Sequence, residues 1–391
     1  MLTRQGWAAL GLAAISAASG RVFGVLELII LGSGVLALVV ASLAWANVHV
    51  IALNVSRRVV PEFLQAGDTA RVEFTITNES RSGTAPLTLW EPVDGLGGAT
   101  LKLAPLRGHE TATTTYRLPT LHRGTLSFGP LTAQRRDPFG IAGRRRIIGS
   151  THEIVIFPAH HHLTLPTAMG GSGPLGNQLR SRSLGRSGNE FHSLRDYADG
   201  DDLRQIHWRA SARSEVLKVR EVEPEGLRHC TIELDNSASE YSPEGFERAV
   251  SAAASAVYAA SVAGLRLRLV IGAETDLRNT NLTSAMTALA NCSTTDQMST
   301  QRLAAPRAEG LGLTIIVTGS PQSSAVSTRR PNLAQTDVLV VVACSSTANA
   351  QRHFTVDATT ADSLSGSWAS LTGSHITPPS TTLQRAEADR R

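Results

Sequence analysis

Cys230-Thr231-Ile232-Glu233-Leu234-Asp235-Asn236-Ser237-Ala238-Ser239 is the stretch on which the fold turns. Its first half is a short strand, and its second half sets one carboxylate and two hydroxyls at alternate positions directly after that strand. Downstream, Pro243 to Gly264 carries Phe246, Ala249, Val250, Ala253, Val257 and Ala260 at helical spacing and ends in glycine, which predicts a helix and its stop. Leu265 to Ile271 predicts the next strand and Ser284 to Ala290 a helix. Leu313 to Val317 and Val338 to Val342 are short apolar runs of the buried-strand kind. Strands alternating with helices imply a parallel sheet covered on both faces, a doubly wound α/β domain over 226–373. Ligands of such sheets bind beyond the carboxyl ends of the strands. Asp235, Ser237 and Ser239 are therefore candidate ligands for a hard cation such as Mg²⁺, which takes oxygen donors. The competing reading is that they only cap the following turn and helix.

Immediately upstream, residues 190–225 hold 15 charges, a far denser set than elsewhere in the chain. Asp199-Gly200-Asp201-Asp202 has turn chemistry and suits a cap for a short helix starting near Leu203. Phe191, Leu194, Tyr197, Leu203, Ile206 and Trp208 are expected as apolar anchors. Leu217 to Glu223 alternates like a strand. The arginines at 195, 204, 209 and 213 face a similar number of carboxylates, and arginine forks pair bidentately with carboxylates. Two readings stay open: a structural ion-pair network, or a charged docking surface for a protein partner. On the second, Arg195, Asp201, Asp202, Arg204, His207, Trp208, Arg209 and Arg213 carry the binding. A third reading makes Asp199, Asp201, Asp202 and His207 the acid–base set of a metal-dependent hydrolase. No nucleophile elbow, phosphate loop or paired-metal spacing accompanies them.

The run Phe191, Leu194-Arg195, Tyr197, Gly200-Asp201-Asp202, Arg204, Ile206, Trp208 and Ser211-Ala212-Arg213 closely resembles the signature of the bacterial "domain of unknown function 58" family. His207 stands where that signature has an acidic residue before the tryptophan. The resemblance extends to two N-terminal membrane segments, to Arg123-Gly124 and to Asp137-Pro138-Phe139-Gly140. It implies a membrane-anchored protein with a von Willebrand factor A-like domain, often accompanying a MoxR-type AAA+ ATPase, and it implies no particular reaction. Asp235-Asn236-Ser237-Ala238-Ser239 likewise resembles the DxSxS metal-ion-dependent adhesion motif of von Willebrand A domains. That motif is completed by a Thr and an Asp from later loops. Here the later strand ends Thr318-Gly319-Ser320 where the Asp is expected, and Thr275-Asp276 is a substitute to test.

Toward the N-terminus the pattern changes to a period of two. Arg71 to Thr77, Leu87 to Trp90, Thr113 to Leu118, Gly124 to Leu131 (with a kink at Gly129-Pro130) and Ile154 to Phe157 predict short strands of a small β-sandwich over 52–158. His160-His161-His162, with His152 near, has metal-binding residue types, but adjacent histidines in a loop do not converge on one ion. Residues 166–188 and the tail 374–391 read as flexible, so 159–189 is expected to be a linker.

At the start, Leu28 to Ala46 is uncharged and long enough to cross a bilayer, with Trp45 at one end. Gln5 to Gly20 is a shorter uncharged run between Arg4 and Arg21. Together they predict a transmembrane hairpin over 1–50; the rival for the first run is a signal peptide. Arg4 before the pair and Arg57-Arg58 after it place both ends in the cytoplasm at the plasma membrane.

Composition narrows the function classes. Apolar residues are 42% of the 391, enough to build cores. Net charge is +4, but 35 of 37 basic residues are arginine and no arginine–aromatic stripe occurs, which argues against nucleic acid as partner. Three dispersed cysteines support neither a disulfide framework nor a zinc site. The leading expectation is a non-enzymatic membrane scaffold that binds a protein partner. An exported adhesion-like protein and a hydrolase are the alternatives.

Overall fold

The computed structural model describes residues 1–48, 52–166, 173–186, 193–198, 203, 206–214, 216–221, 226–296, 310–346 and 354–374. The chain forms two units, Met1–Ile156 and Phe157–Arg391.

The first unit opens with two helices, α1 (Arg4–Phe23) and α2 (Leu26–Val48). At about 1.5 Å per residue, each is about as long as a bilayer's hydrocarbon layer is thick. Both are long and apolar enough to cross a membrane. They touch through small residues. A Cβ on Gly32 would sit 2.9 Å from the Ala13 carbonyl, and one on Gly20 only 2.7 Å from the Ile29 side chain. Close approach over small residues is how helices associate where lipid removes the hydrophobic driving force. Leu12, Ile15, Leu26, Ile30, Leu31 and Val40 are left exposed on the outside of the pair.

Ten strands follow. They are β1 (Leu53–Val60), β2 (Leu64–Gln65), β3 (Thr69–Asn78), β4 (Leu87–Glu91), β5 (Ala99–Leu103), β6 (Thr111–Pro119), β7 (Gly124–Phe128), β8 (Thr132–Arg136), β9 (Gly143–Ile147) and β10 (His152–Phe157). They build three small sheets, ordered β1-β3-β6, β2-β10-β7 and β5-β4-β8-β9, around a core that includes Val72, Phe74, Ile76, Leu89, Phe128 and Leu131. The pairings β1-β3, β3-β6, β10-β7, β4-β5, β4-β8 and β8-β9 are antiparallel. In β3 the inward residues alternate with outward ones, as the sequence period requires.

The second unit begins with α3 (Pro174–Arg186). This corrects the expected linker: Leu175 and Leu179 are buried in the α/β core, and Trp368 Nε1 donates to the Thr164 carbonyl at 2.8 Å. Next come β11 (Ser193–Asp196), α4 (Trp208–Ser211) and β12 (Lys218–Glu221), with β11 and β12 antiparallel. The α/β body consists of β13 (Leu227–Leu234), α5 (Pro243–Val262), β14 (Arg266–Ile271), β15 (Thr275–Thr280), α6 (Leu282–Asn291), β16 (Leu311–Thr318), α7 (Ser324–Arg329), β17 (Asp337–Ala343), β18 (Phe354–Asp357) and α8 (Ala361–Thr372).

Its six strands run β15-β14-β13-β16-β17-β18, all parallel except the edge strand β15. Every residue of β16 is buried, which explains its unbroken apolar run. The alanine-rich face of α5 packs on one side of the sheet with Ile232, Leu234, Ile315 and Val317, and α7 packs on the other with Ile316 and Val341. Ser242 caps α5 by accepting from the Gly245 N–H at 3.1 Å, Pro243 occupies its first turn, and Gly264 beyond it has φ 68°. The fold class is thus mixed α/β after two apolar helices and an antiparallel unit. The expected tail beyond residue 374 lies outside the described residues.

Candidate functional site

The strand order in the sheet reverses between β13 and β16, which lie side by side and parallel although two strands separate them in sequence. Connections leave these two strands in opposite directions, so a crevice opens at their carboxyl ends. Asp235 sits there, its N–H bonded to the Val317 carbonyl at 2.9 Å. Its carboxylate is buried and takes two donors: the Ser237 backbone N–H at 3.1 Å and the Thr318 hydroxyl at 3.2 Å. The first bond is an Asx turn, so the capping reading is correct as far as it goes. The second brings in a hydroxyl 83 residues away, which capping does not require.

The Ser237 hydroxyl is buried and has no hydrogen-bond partner among the described residues. Leaving such a group unpaired costs about 1–3 kcal/mol. Ser239 is exposed on the short turn Ala238–Glu240. The loop is pinned from behind by Ala238 N–H to Thr295 O and Thr295 N–H to Asn236 O, both 2.8 Å. In front it lies on bare backbone: a Cβ on Gly319 would fall 2.1 Å from the Glu240 carbonyl. Glycine after Thr318 is what lets the two loops meet.

Charge accumulates in the same place. Burial, then the Asp235 charge, pushes the Glu240 carboxyl above its ordinary value. Burial and Asp235, in that order, also push the Tyr241 hydroxyl up. An oxygen-rich, electron-rich cluster with an orphaned hydroxyl fits a hard cation, with Asp235, Ser237 and Thr318 as the residues that would hold it. Glu240 and Thr318 were not among the residues singled out as ligands; Thr318 was noted only as the end of the strand where an Asp was expected. Asp276 does not join the site. Its carboxylate is held by Arg268 at 2.7 and 2.9 Å and by Arg278 at 2.9 Å on β14 and β15, and the Arg268 hydrogen bond is the main reason its carboxyl lies below the ordinary range. The histidine run is not a metal cluster either: the His160 ring packs on Tyr258 at 4.4 Å, and no group of three His, Cys, Asp or Glu able to hold an ion occurs among the described residues.

The charged segment takes a different form from the one expected. Helix α4 starts at Trp208, five residues beyond Leu203, and its cap is His207, whose Nδ1 accepts from the Ala210 N–H at 3.0 Å. The His207 N–H donates to the Lys218 carbonyl at 2.8 Å, tying α4 to β12. Of the expected apolar anchors Ile206 is buried, whereas Leu203 and Trp208 are 62% and 66% exposed. Arg195, Arg209 and Arg213 are exposed as well, and Lys218 pairs with Asp196. Asp199, Asp201, Asp202 and Arg204 lie outside the described residues.

These features define a class: a doubly wound α/β domain with a polar loop cluster at its switch point, in a chain that also carries two apolar helices and an antiparallel β unit. The family model "Protein of unknown function DUF58" matches residues 193–290, from β11 through α6. No curated protein matches the sequence. Among solved structures, the CARDB domain of a Pyrococcus furiosus protein in complex with di-metal ions is 13% identical; the match covers 27% of this chain and 91% of that one, with a TM-score of 0.22. The Pseudomonas fluorescens alkylpurine DNA glycosylase AlkC, bound to DNA with an abasic site analog, is 12% identical over 29% of this chain and 32% of its own, TM-score 0.21. A Listeria innocua β-glucosidase in complex with gluconolactone is 15% identical over 25% and 16%, TM-score 0.16. Likenesses this slight bear on neither fold nor function.

Proposed function

We propose that this protein is a membrane-anchored adaptor whose α/β domain is von Willebrand A-like and binds a protein partner, plausibly a MoxR-type AAA+ ATPase in the cytoplasm. The observation that carries the reading is the meeting of Asp235, Ser237 and Thr318 at the switch point. The strand order, with its single antiparallel edge strand, agrees with it. When bound, Mg²⁺ would supply a coordination position for a carboxylate from the partner. This chain's part is to present Asp235, hold Thr318 beside it on β16, and keep the loop fixed through Gly319 and Thr295. The exposed set Arg195, Trp208, Arg209 and Arg213 is a second contact region, since an exposed tryptophan flanked by arginines has the composition of interface hot spots. Less supports the hydrolase reading: His207 Nδ1 accepts from the Ala210 N–H at the α4 cap, and its other members Asp199, Asp201 and Asp202 lie outside the described residues.

The test is capture of the ATPase by full-length protein with Mg²⁺ or with a chelator. Asp235→Ala is expected to abolish the Mg²⁺-dependent share of binding. Equal capture by both proteins under both conditions would end the cation mechanism. A reporter fused after Arg391 and found outside the membrane would end the cytoplasmic-adaptor reading and favour the exported one.

A further inference from the structure

We infer that the β8–β9 hairpin is a collar for the headgroups of acidic phospholipids. The inference rests on the reading of α1 and α2 as membrane-spanning, and it starts from where the β unit grips them. At the entrance to α1, the Thr3 N–H donates to the Ile141 carbonyl at 2.9 Å and the Thr3 hydroxyl to Gly140 O at 2.5 Å. At the exit of α2, Arg135 donates to Ala46 O at 2.7 Å and lies over the Trp45 ring at 5.0 Å, and Arg144 donates to Asn47 O at 3.2 Å. Both ends of the helix pair therefore meet the same hairpin. With each helix as long as the hydrocarbon layer is thick, the hairpin tip falls at headgroup depth.

The chemistry of the tip suits that depth. Residues 132–147 contain five arginines and one acid, Asp137. That acid is buried and consumed locally, accepting from the N–H groups of Phe139 at 3.1 Å and Ala142 at 2.6 Å, so it neutralises none of them. Arg135 and Arg144 face each other directly across the ladder. Like charges directly opposite are unfavourable unless an anion lies close by. Arg4, Arg136 and Arg145 are exposed; Arg145 is steadied over Trp90 at 4.9 Å. Between them Phe139 stands 65% exposed at the turn, and Trp7, one turn inside α1, is 64% exposed. Aromatic side chains beside arginines are what the interface between headgroup and acyl chain selects.

The experiment uses the full-length chain in detergent, titrated with phosphatidylglycerol or phosphatidylcholine, with bound lipid counted by native mass spectrometry. The expected result is preferential retention of phosphatidylglycerol that weakens as salt is raised. R136Q/R145Q should weaken phosphatidylglycerol binding by about tenfold and leave phosphatidylcholine unchanged. R136K/R145K should restore the preference, and Lys102→Gln, a charge on β5 outside the hairpin, should not alter it. Equal retention of the two lipids, an unaltered preference in R136Q/R145Q, or displacement of phosphatidylglycerol by inorganic phosphate would each overturn the collar. Should R136Q/R145Q fail to fold, the salt dependence of the native protein decides. Membrane spanning is read separately: a chain extracted by alkaline carbonate would refute the helices as anchors, whereas a resistant chain without lipid preference would refute only the collar.

Discussion

Glu91 and Asp337 are sealed carboxylates, one in each unit, and they titrate in opposite directions. Their side chains are 0% and 1% exposed. Glu91 is met by the Tyr116 hydroxyl at 2.7 Å and by the Arg57 guanidinium. Arg57 shares its charge, since it also donates to Ser150 O and lies between the Phe74 and Phe128 rings. Burial prevails over both partners, and the Glu91 carboxyl rises above its ordinary value. Asp337 is buried too, and burial is again the largest influence, but three groups oppose it: His229 Nε2 at 3.0 Å, the Thr314 hydroxyl at 3.0 Å and the Thr336 hydroxyl at 3.1 Å. Together they hold Asp337 below the ordinary value. Depth alone does not set the direction; the donors supplied to the charged form do.

The comparison breaks most visibly by removing a partner. Arg57→Ala leaves Glu91 buried beside Tyr116 alone, and stripping one partner from a buried pair costs about 3–5 kcal/mol. Hydrogen exchange on the full-length chain should show β3 and β4 losing protection while β13 and β16 keep theirs. A loss under about 1 kcal/mol would mean that Arg57 is replaceable there.

A smaller effect is expected from acid, and its sign differs between the two carboxylates. Asp337 lies below its unfolded value, so its contribution is present at neutral pH and is lost as pH falls through the folded value. Asp276, also lowered, acts the same way in the same unit. Glu91 lies above its unfolded value, so it costs stability at neutral pH and that cost fades as pH falls. Burial also lifts the Glu233 and Glu240 carboxyls of the α/β unit, so the contrast is read residue by residue. Asp337→Asn should remove part of any loss of exchange protection in β16 and β17 below about pH 4, and Glu91→Gln should remove none of it. An unchanged acid response in Asp337→Asn would contradict the contrast.

The smallest effect on stability is expected at the surface. Trp208→Ala removes an exposed ring and should change unfolding by no more than about 0.5 kcal/mol, yet it should reduce capture of the partner proposed above. Unchanged capture would leave the exposed tryptophan without a role in binding.

The two units also differ in how far their sequences disclosed them. Strands with clean alternation, such as β3, and helices with a one-sided apolar face, such as α5, were plain. β9 (Gly-Arg-Arg-Arg-Ile) was not, because a strand that grips helix ends has no apolar rhythm. α3 was hidden by its glycines and serines; among the described residues Leu175 and Leu179 drive it into the core. Asp235 and Ser237 were legible from spacing after a strand. Thr318 lies on another strand, and only tertiary pairing reveals what it touches. Trp208 misled because an aromatic in a dense motif resembles core until exposure is known.

The grip of Ile141 on Thr3 also has a meaning in time. Thr3 is made 138 positions before its partner Ile141. At about 5–20 residues per second, roughly 7–28 s separate the two. The helix pair must therefore wait, its lower end unclasped, until the eighth and ninth strands arrive. Pairing of the two helices and clasping by the hairpin are separate events, and a chain halted before residue 141 would leave Thr3 without its clasp and open to proteases.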